Sequence, residues 1–133
     1  MNNILCTTDF SEASKRALVW AVNFSKEEGS DLTILYTYRL TKNVAEELVQ
    51  WKKKVEEEAN NKFTAFEKEF LKNIGIKYEF KVEIGFVTDR IEEHARKNHL
   101  RFIVIDRTMC TRNKETFEDL IENISVPMVI IPF

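Results

Sequence analysis

Five short apolar runs in this chain are each separated from the next by a longer stretch with helical spacing. That alternation constrains the fold more than any other feature. Parallel strands need a crossover of a dozen or more residues, usually a helix, whereas antiparallel neighbours can be joined by a two-residue turn. An α/β domain is therefore expected, with a parallel sheet covered by helices on both faces. The predicted strands are residues 4–8, 32–38, 76–84, 102–105 and 126–133, the fourth being wholly apolar and hence central. A single domain over residues 1–133 is long enough to bury a sizeable core.

Ser11 is placed to cap the first helix, with Glu12 beside its positive end, and Gly29 suits a left-handed stop. Ala13, Ala17, Ala21 and Phe24 give that helix a packing stripe. The longest element is expected from about residue 43 to residue 73, where Val44, Leu48, Trp51, Val55, Ala59, Phe63, Phe66 and Phe70 recur in steps of three or four. Their mean step, about 3.7, is close to the straight-helix period, so the stripe reads as core facing the sheet. Thr88 is placed to cap a helix reaching residue 98, and residues 114–123 form another with Phe117, Leu120 and Ile121. Lys52-Lys53-Lys54 followed by Glu56-Glu57-Glu58 reads as a solvated helix face.

Composition removes several functions. The net charge is -2, with no basic tail and no base-stacking motif, so a primary nucleic-acid role is not expected. No apolar run approaches the ~20 residues of a membrane span, and no signal peptide is visible. Cys6 and Cys110 fit no zinc or CxxC spacing, so a reduced, cytoplasmic setting is expected. Near one end of adjacent strands they could form a redox pair, against the simpler reading of Cys6 as an inert core cysteine. His94 and His99 fall on different helix faces with no further ligand at metal spacing, so both read as structural and no metal is expected. No Ser-His-Asp set, paired-carboxylate motif or P-loop appears, and no catalysis is expected.

Three segments carry a resemblance. The opening Ile4-Leu5-Cys6-Thr7-Thr8-Asp9-Phe10-Ser11, Gly85 after the third strand, and the closing Val126-Pro127-Met128-Val129-Ile130-Ile131 together resemble the universal stress protein family across the whole chain. Thr7 stands where that family usually has proline, and Phe86-Val87 where Asp-Pro is usual. The resemblance implies an open five-stranded parallel sheet of order 3-2-1-4-5, an adenine-nucleotide alpha-hydrolase-like architecture. Ligands of open α/β sheets bind beyond the carboxyl ends of the strands at the topological switch point. Here that point lies between the first and fourth strands. In nucleotide-binding members the aspartate matching Asp9 contacts adenine, and the residue matching Thr37 lies beside the base. Asp9, Thr7, Thr37 and Arg107 are thus the candidate residual nucleotide pocket. Asp9, Thr7 and Thr8 can also serve the strand end and helix start with no ligand present.

The other half of the pocket is missing. ATP-binding members carry Gly-x2-Gly-x9-Gly-Ser/Thr after the fourth strand, because glycines let backbone N–H groups approach phosphate closely. The matching positions here, in a segment that reads as a loop, are Asp106, Met109 and Lys114-Glu115. Two of these replacements are carboxylates, which repel a triphosphate, while Arg107, Arg112 and Lys114 partly offset them. The leading expectation is a non-catalytic stress-response or regulatory module with no tightly held cofactor. The alternative is an adenine-nucleotide sensor binding ATP or AMP weakly at Asp9. A nucleotidyl-transfer enzyme is disfavoured by the short chain and the absent glycines. The apolar final strand, Val126, Met128, Val129, Ile130 and Ile131, invites edge pairing, and the resemblance implies a homodimer through it. Pro127 and Pro132 limit that ladder.

Overall fold

A computed structural model describes residues 3–40 and 45–132. Val44 of the long stripe and Phe133 of the final strand lie outside the described residues. The elements are β1 (Asn3–Thr7), α1 (Glu12–Glu28), β2 (Asp31–Tyr38), α2 (Ala45–Phe70), β3 (Tyr78–Ile84), α3 (Val87–Lys97), β4 (Leu100–Asp106), α4 (Arg107–Arg112), α5 (Lys114–Asn123) and β5 (Met128–Ile131). The five strands form one sheet of order β3-β2-β1-β4-β5, and every neighbouring pair is parallel. In the central register Leu5 lies beside Thr33 on one side and Ile103 on the other.

Alternation along the strands divides the interior into two cores. Ile4, Cys6, Ile34 and Val104 meet Ala17, Leu18, Ala21 and Val22 of α1 and Phe63 and Phe66 of α2 on one face. Leu5, Leu35, Ile103 and Ile105 meet Ile91 of α3, Met109 of α4, and Phe117 and Leu120 of α5 on the other. The central strands are therefore apolar on both sides, and each fully buried Ile or Leu contributes roughly 1.5–3 kcal/mol relative to exposure. The edges differ. In β3, Tyr78 and Phe80 pack on the α1–α2 core while Glu79, Lys81 and Glu83 alternate with them. Those charges guard that edge; β5 carries none, and Ile130 is exposed.

The start of α1 follows expectation: Ser11 accepts from the Ser14 N–H, and Gly29 ends the helix at φ 64°. β5 is shorter than expected, Met128–Ile131, and leaves Val126 and Pro127 before the strand. Four other differences stand out. Thr88 does not cap α3; the N-cap is Phe86, without a side-chain acceptor, and Thr88 is buried inside the first turn. β3 begins at Tyr78, two residues later than expected. At the end of α2 the apolar stripe gives out, leaving Phe70 exposed while Leu71 is buried beyond the helix. The fourth difference bears on function: residues 107–112, expected as a loop, form α4 directly after β4.

Candidate functional site

β1 leads to α1 on one face of the sheet and β4 to α4 and α5 on the other, so their carboxyl ends diverge around a crevice. On the β1 side the chain turns sharply. Phe10 takes a left-handed conformation, φ 61°, which costs a bulky residue about 1–2 kcal/mol. Its ring is thereby laid against Tyr36 and Phe80, with centroids 5.9 and 5.8 Å away. The Thr8 N–H donates to the Leu35 carbonyl at 2.9 Å and ties the turn to β2.

Asp9 is the centre of that turn. Its Oδ1 accepts from the Ser11 N–H at 2.9 Å and the Ser14 hydroxyl at 2.6 Å, and its Oδ2 accepts from the Arg112 guanidinium at 2.9 Å. Half-burial pushes the carboxyl toward protonation, but the bonds from Ser11, Ser14 and Arg112 outweigh it and hold the group well below the usual carboxylate range. Asp9 is a fixed anion at neutral pH, and the sequence's ligand-free reading of it is satisfied by these bonds.

On the β4 side no loop intervenes. Asp106, 1% exposed, ends β4 and caps α4, its Oδ2 accepting from the Met109 N–H at 2.9 Å. Its Oδ1 is buried with no partner. Met109 turns into the α3–α5 core and its sulfur accepts from the Thr7 hydroxyl at 3.4 Å. Thr7 is therefore closed over. Cys6 belongs to the α1–α2 core and Cys110 packs on the opposite one, and both thiols are free. Burial, with the nearby Asp106 charge, pushes the Cys110 thiol up to about 11 and moves Cys6 well above the ordinary thiol range. Neither is a thiolate at neutral pH, so neither has the activated chemistry of a redox cysteine.

Between the ends of β2 and β3 on one side and α4 on the other is a cavity of about 340 Å3 whose lining includes Thr37, Arg39, Gly85, Phe86, Met109 and Arg112. Gly85 is required here: its φ is 132°, and a Cβ would come within 3.1 Å of Arg90 Cδ. Arg39 lies over the Phe86 ring, 4.3 Å from its centroid. Of the four residues expected at the pocket, Thr37 lines this crevice and Asp9 reaches it through Arg112. Thr7 lies beneath Met109, and Arg107 is exposed on α4 outside the lining. Arg39 was not named from the sequence, and Phe86 only as a departure from the Asp-Pro pattern, not as a pocket residue. Each is the first or second residue past a strand end, which is the signal that could have marked them.

His94 is buried, its Nε2 lying 3.0 Å from both carboxylate oxygens of Glu83, which also lies 3.2 Å from Arg90 Nε. That cluster ties α3 to β3, in keeping with a structural histidine; His99 is exposed. Among the described residues no group of three or more His, Cys, Asp or Glu is placed to hold a metal ion, and no helix is long and apolar enough to cross a membrane.

A family model described as the universal stress protein family matches residues 1–132. No match was found among curated proteins. Among solved structures, the chain is similar to universal stress protein UspA from Lactobacillus plantarum, with a TM-score of 0.82 at 18% identity over 98% of this chain and 97% of that one. It is similar also to hypothetical protein MJ0577, the subject of a structure-based assignment of biochemical function, with a TM-score of 0.78 at 26% identity over 97% and 94%. A universal stress protein from Archaeoglobus fulgidus in complex with dAMP shares the fold, with a TM-score of 0.67 at 16% identity over 99% and 98%.

Proposed function

The chain belongs to the universal stress protein family, and we propose that it serves there as a non-catalytic regulatory module that does not hold ATP tightly. One observation carries this reading. The segment after β4, where a phosphate cradle would need open backbone N–H groups, is the helix α4, whose first turn is capped by the buried Asp106 carboxylate. A triphosphate arriving there meets a helix wall whose Met109 N–H is already taken by that side chain. The closed position of Thr7 under Met109 supports the same reading. The module would work in the cytoplasm as a homodimer, the bare edge of β5 pairing with its counterpart in a second copy through Met128, Val129, Ile130 and Ile131, with Val126 alongside.

A second reading, an adenine-nucleotide sensor, is favoured by the ionised Asp9 and by Thr37 in the crevice wall, and a relative of the same fold binds dAMP. Calorimetric titration of ATP and AMP into the purified chain, with and without magnesium, separates the two. The regulatory module gives no heat at millimolar nucleotide. Stoichiometric micromolar binding that weakens in Asp9→Ala would replace it with the sensor.

A further inference from the structure

We infer that the crevice is a binding site for a compact phosphate or phosphate monoester, held by the guanidiniums of Arg39 and Arg112. Arg39 follows the end of β2 and Arg112 ends α4, so two separate elements deliver a cation each to one opening. Among the described residues that line it, none is acidic. Two like charges gathered around a shared cavity repel, and a dianion between them removes the repulsion and accepts paired N–H bonds from each planar guanidinium. The guanidinium carbon of Arg39 lies over Phe86, 4.3 Å from the ring centroid, a cation–π contact between two residues that both line the opening. A volume of about 340 Å3 lies at the small end of the ligand-site range, which suits a phosphate with a short substituent and not a triphosphate nucleotide.

Arg112 already has an anion. Its bond to Asp9, at 2.9 Å, makes that carboxylate an internal competitor for the incoming phosphate. The anion seat is thus built from the side chains of Arg39 after β2 and Arg112 at the end of α4, and not from backbone N–H groups at the end of β4. A titration with ATP tests the absent cradle and a titration with phosphate tests the arginines, so this site and the regulatory reading above fail separately.

The test is calorimetric titration of inorganic phosphate and of glycerol phosphate into the full chain, with ionic strength held constant by chloride. The variants are Arg39→Gln, Arg112→Gln and Asp9→Asn. Asparagine keeps a carbonyl oxygen to accept from Ser11 and Ser14, and Arg39 is exposed, so both changes leave the fold in place. Saturable binding is expected, about tenfold weaker in either arginine variant and about threefold tighter in Asp9→Asn, the share that a half-exposed ion pair withholds. The sign at Asp9 is opposite to that of an adenine contact. No saturable binding up to about 20 mM in both the unaltered chain and Asp9→Asn overturns the site. So does affinity indifferent to Arg39→Gln, or affinity that falls in Asp9→Asn.

Discussion

Shortening Met109 to alanine is expected to destabilise the chain by about 3 kcal/mol. Met109 is 7% exposed and is the buried residue of α4, so it is the helix's anchor to the sheet. The change removes three side-chain atoms from a site walled by β1 and β4, whose strands are fixed on both sides by parallel neighbours. Little collapse can follow, which puts the cost in the middle of the ~2–5 kcal/mol range for such truncations. The Thr7 hydroxyl loses its sulfur acceptor as well. For 133 residues the unfolding entropy near the midpoint is about 0.28 kcal/mol/K, so Tm falls by about 10 °C. Urea unfolding should show the loss as a lower midpoint at unchanged slope. Arg107→Ala, exposed on the same short helix, is the control and should stay within about 0.5 kcal/mol. A loss below about 1 kcal/mol in Met109→Ala, with α4 amide exchange unaltered, would refute the anchoring.

Acid should expose the Asp9 network. Its folded carboxyl titrates below the ordinary value, so its contribution is complete above about pH 4 and is lost as pH falls toward the folded value. The half-exposed pair with Arg112 limits the effect to about 1 kcal/mol, and Asp9→Asn should flatten denaturation midpoints measured below pH 4; parallel curves would count against it. Thiol labelling at pH 8 should find Cys110 about two orders of magnitude slower than free cysteine and Cys6 silent until unfolding; two fast thiols would contradict the burial argument. Ile130→Lys places a charge on the exposed β5 edge without entering the core, so light scattering should show half the mass. An unchanged mass would count against the proposed β5 dimer.

The sheet was legible because its signals are local and redundant. Runs such as Phe102-Ile103-Val104-Ile105 have to be buried on two faces, and helix-period segments between them leave only parallel connections. The helix α4 was not legible for the opposite reason. Its six residues hold Met109 and Cys110 as their apolar members, too few for a period to register, and its start depends on a tertiary fact, the burial of Asp106 at the sheet end. Thr88 misled in a similar way: it has a capping side chain, but the turn at Gly85 starts the helix earlier and buries it.

The candidate site follows from that one helix. Read as loop, residues 107–112 offer Arg107 and Arg112 alike to an anion. On a helix, five positions separate them by about 140° around the axis, so both cannot face one crevice. The structure turns Arg112 toward Asp9 and leaves Arg107 outside the lining. The second cation in the lining is Arg39, which has no periodic neighbours to mark it. It is brought beside α4 only because β2 lies next to β1 in the sheet, with β4 beyond. The proposed anion is bound across the β2–α4 gap, which is why Arg39, and not Arg107, is the residue whose loss discriminates.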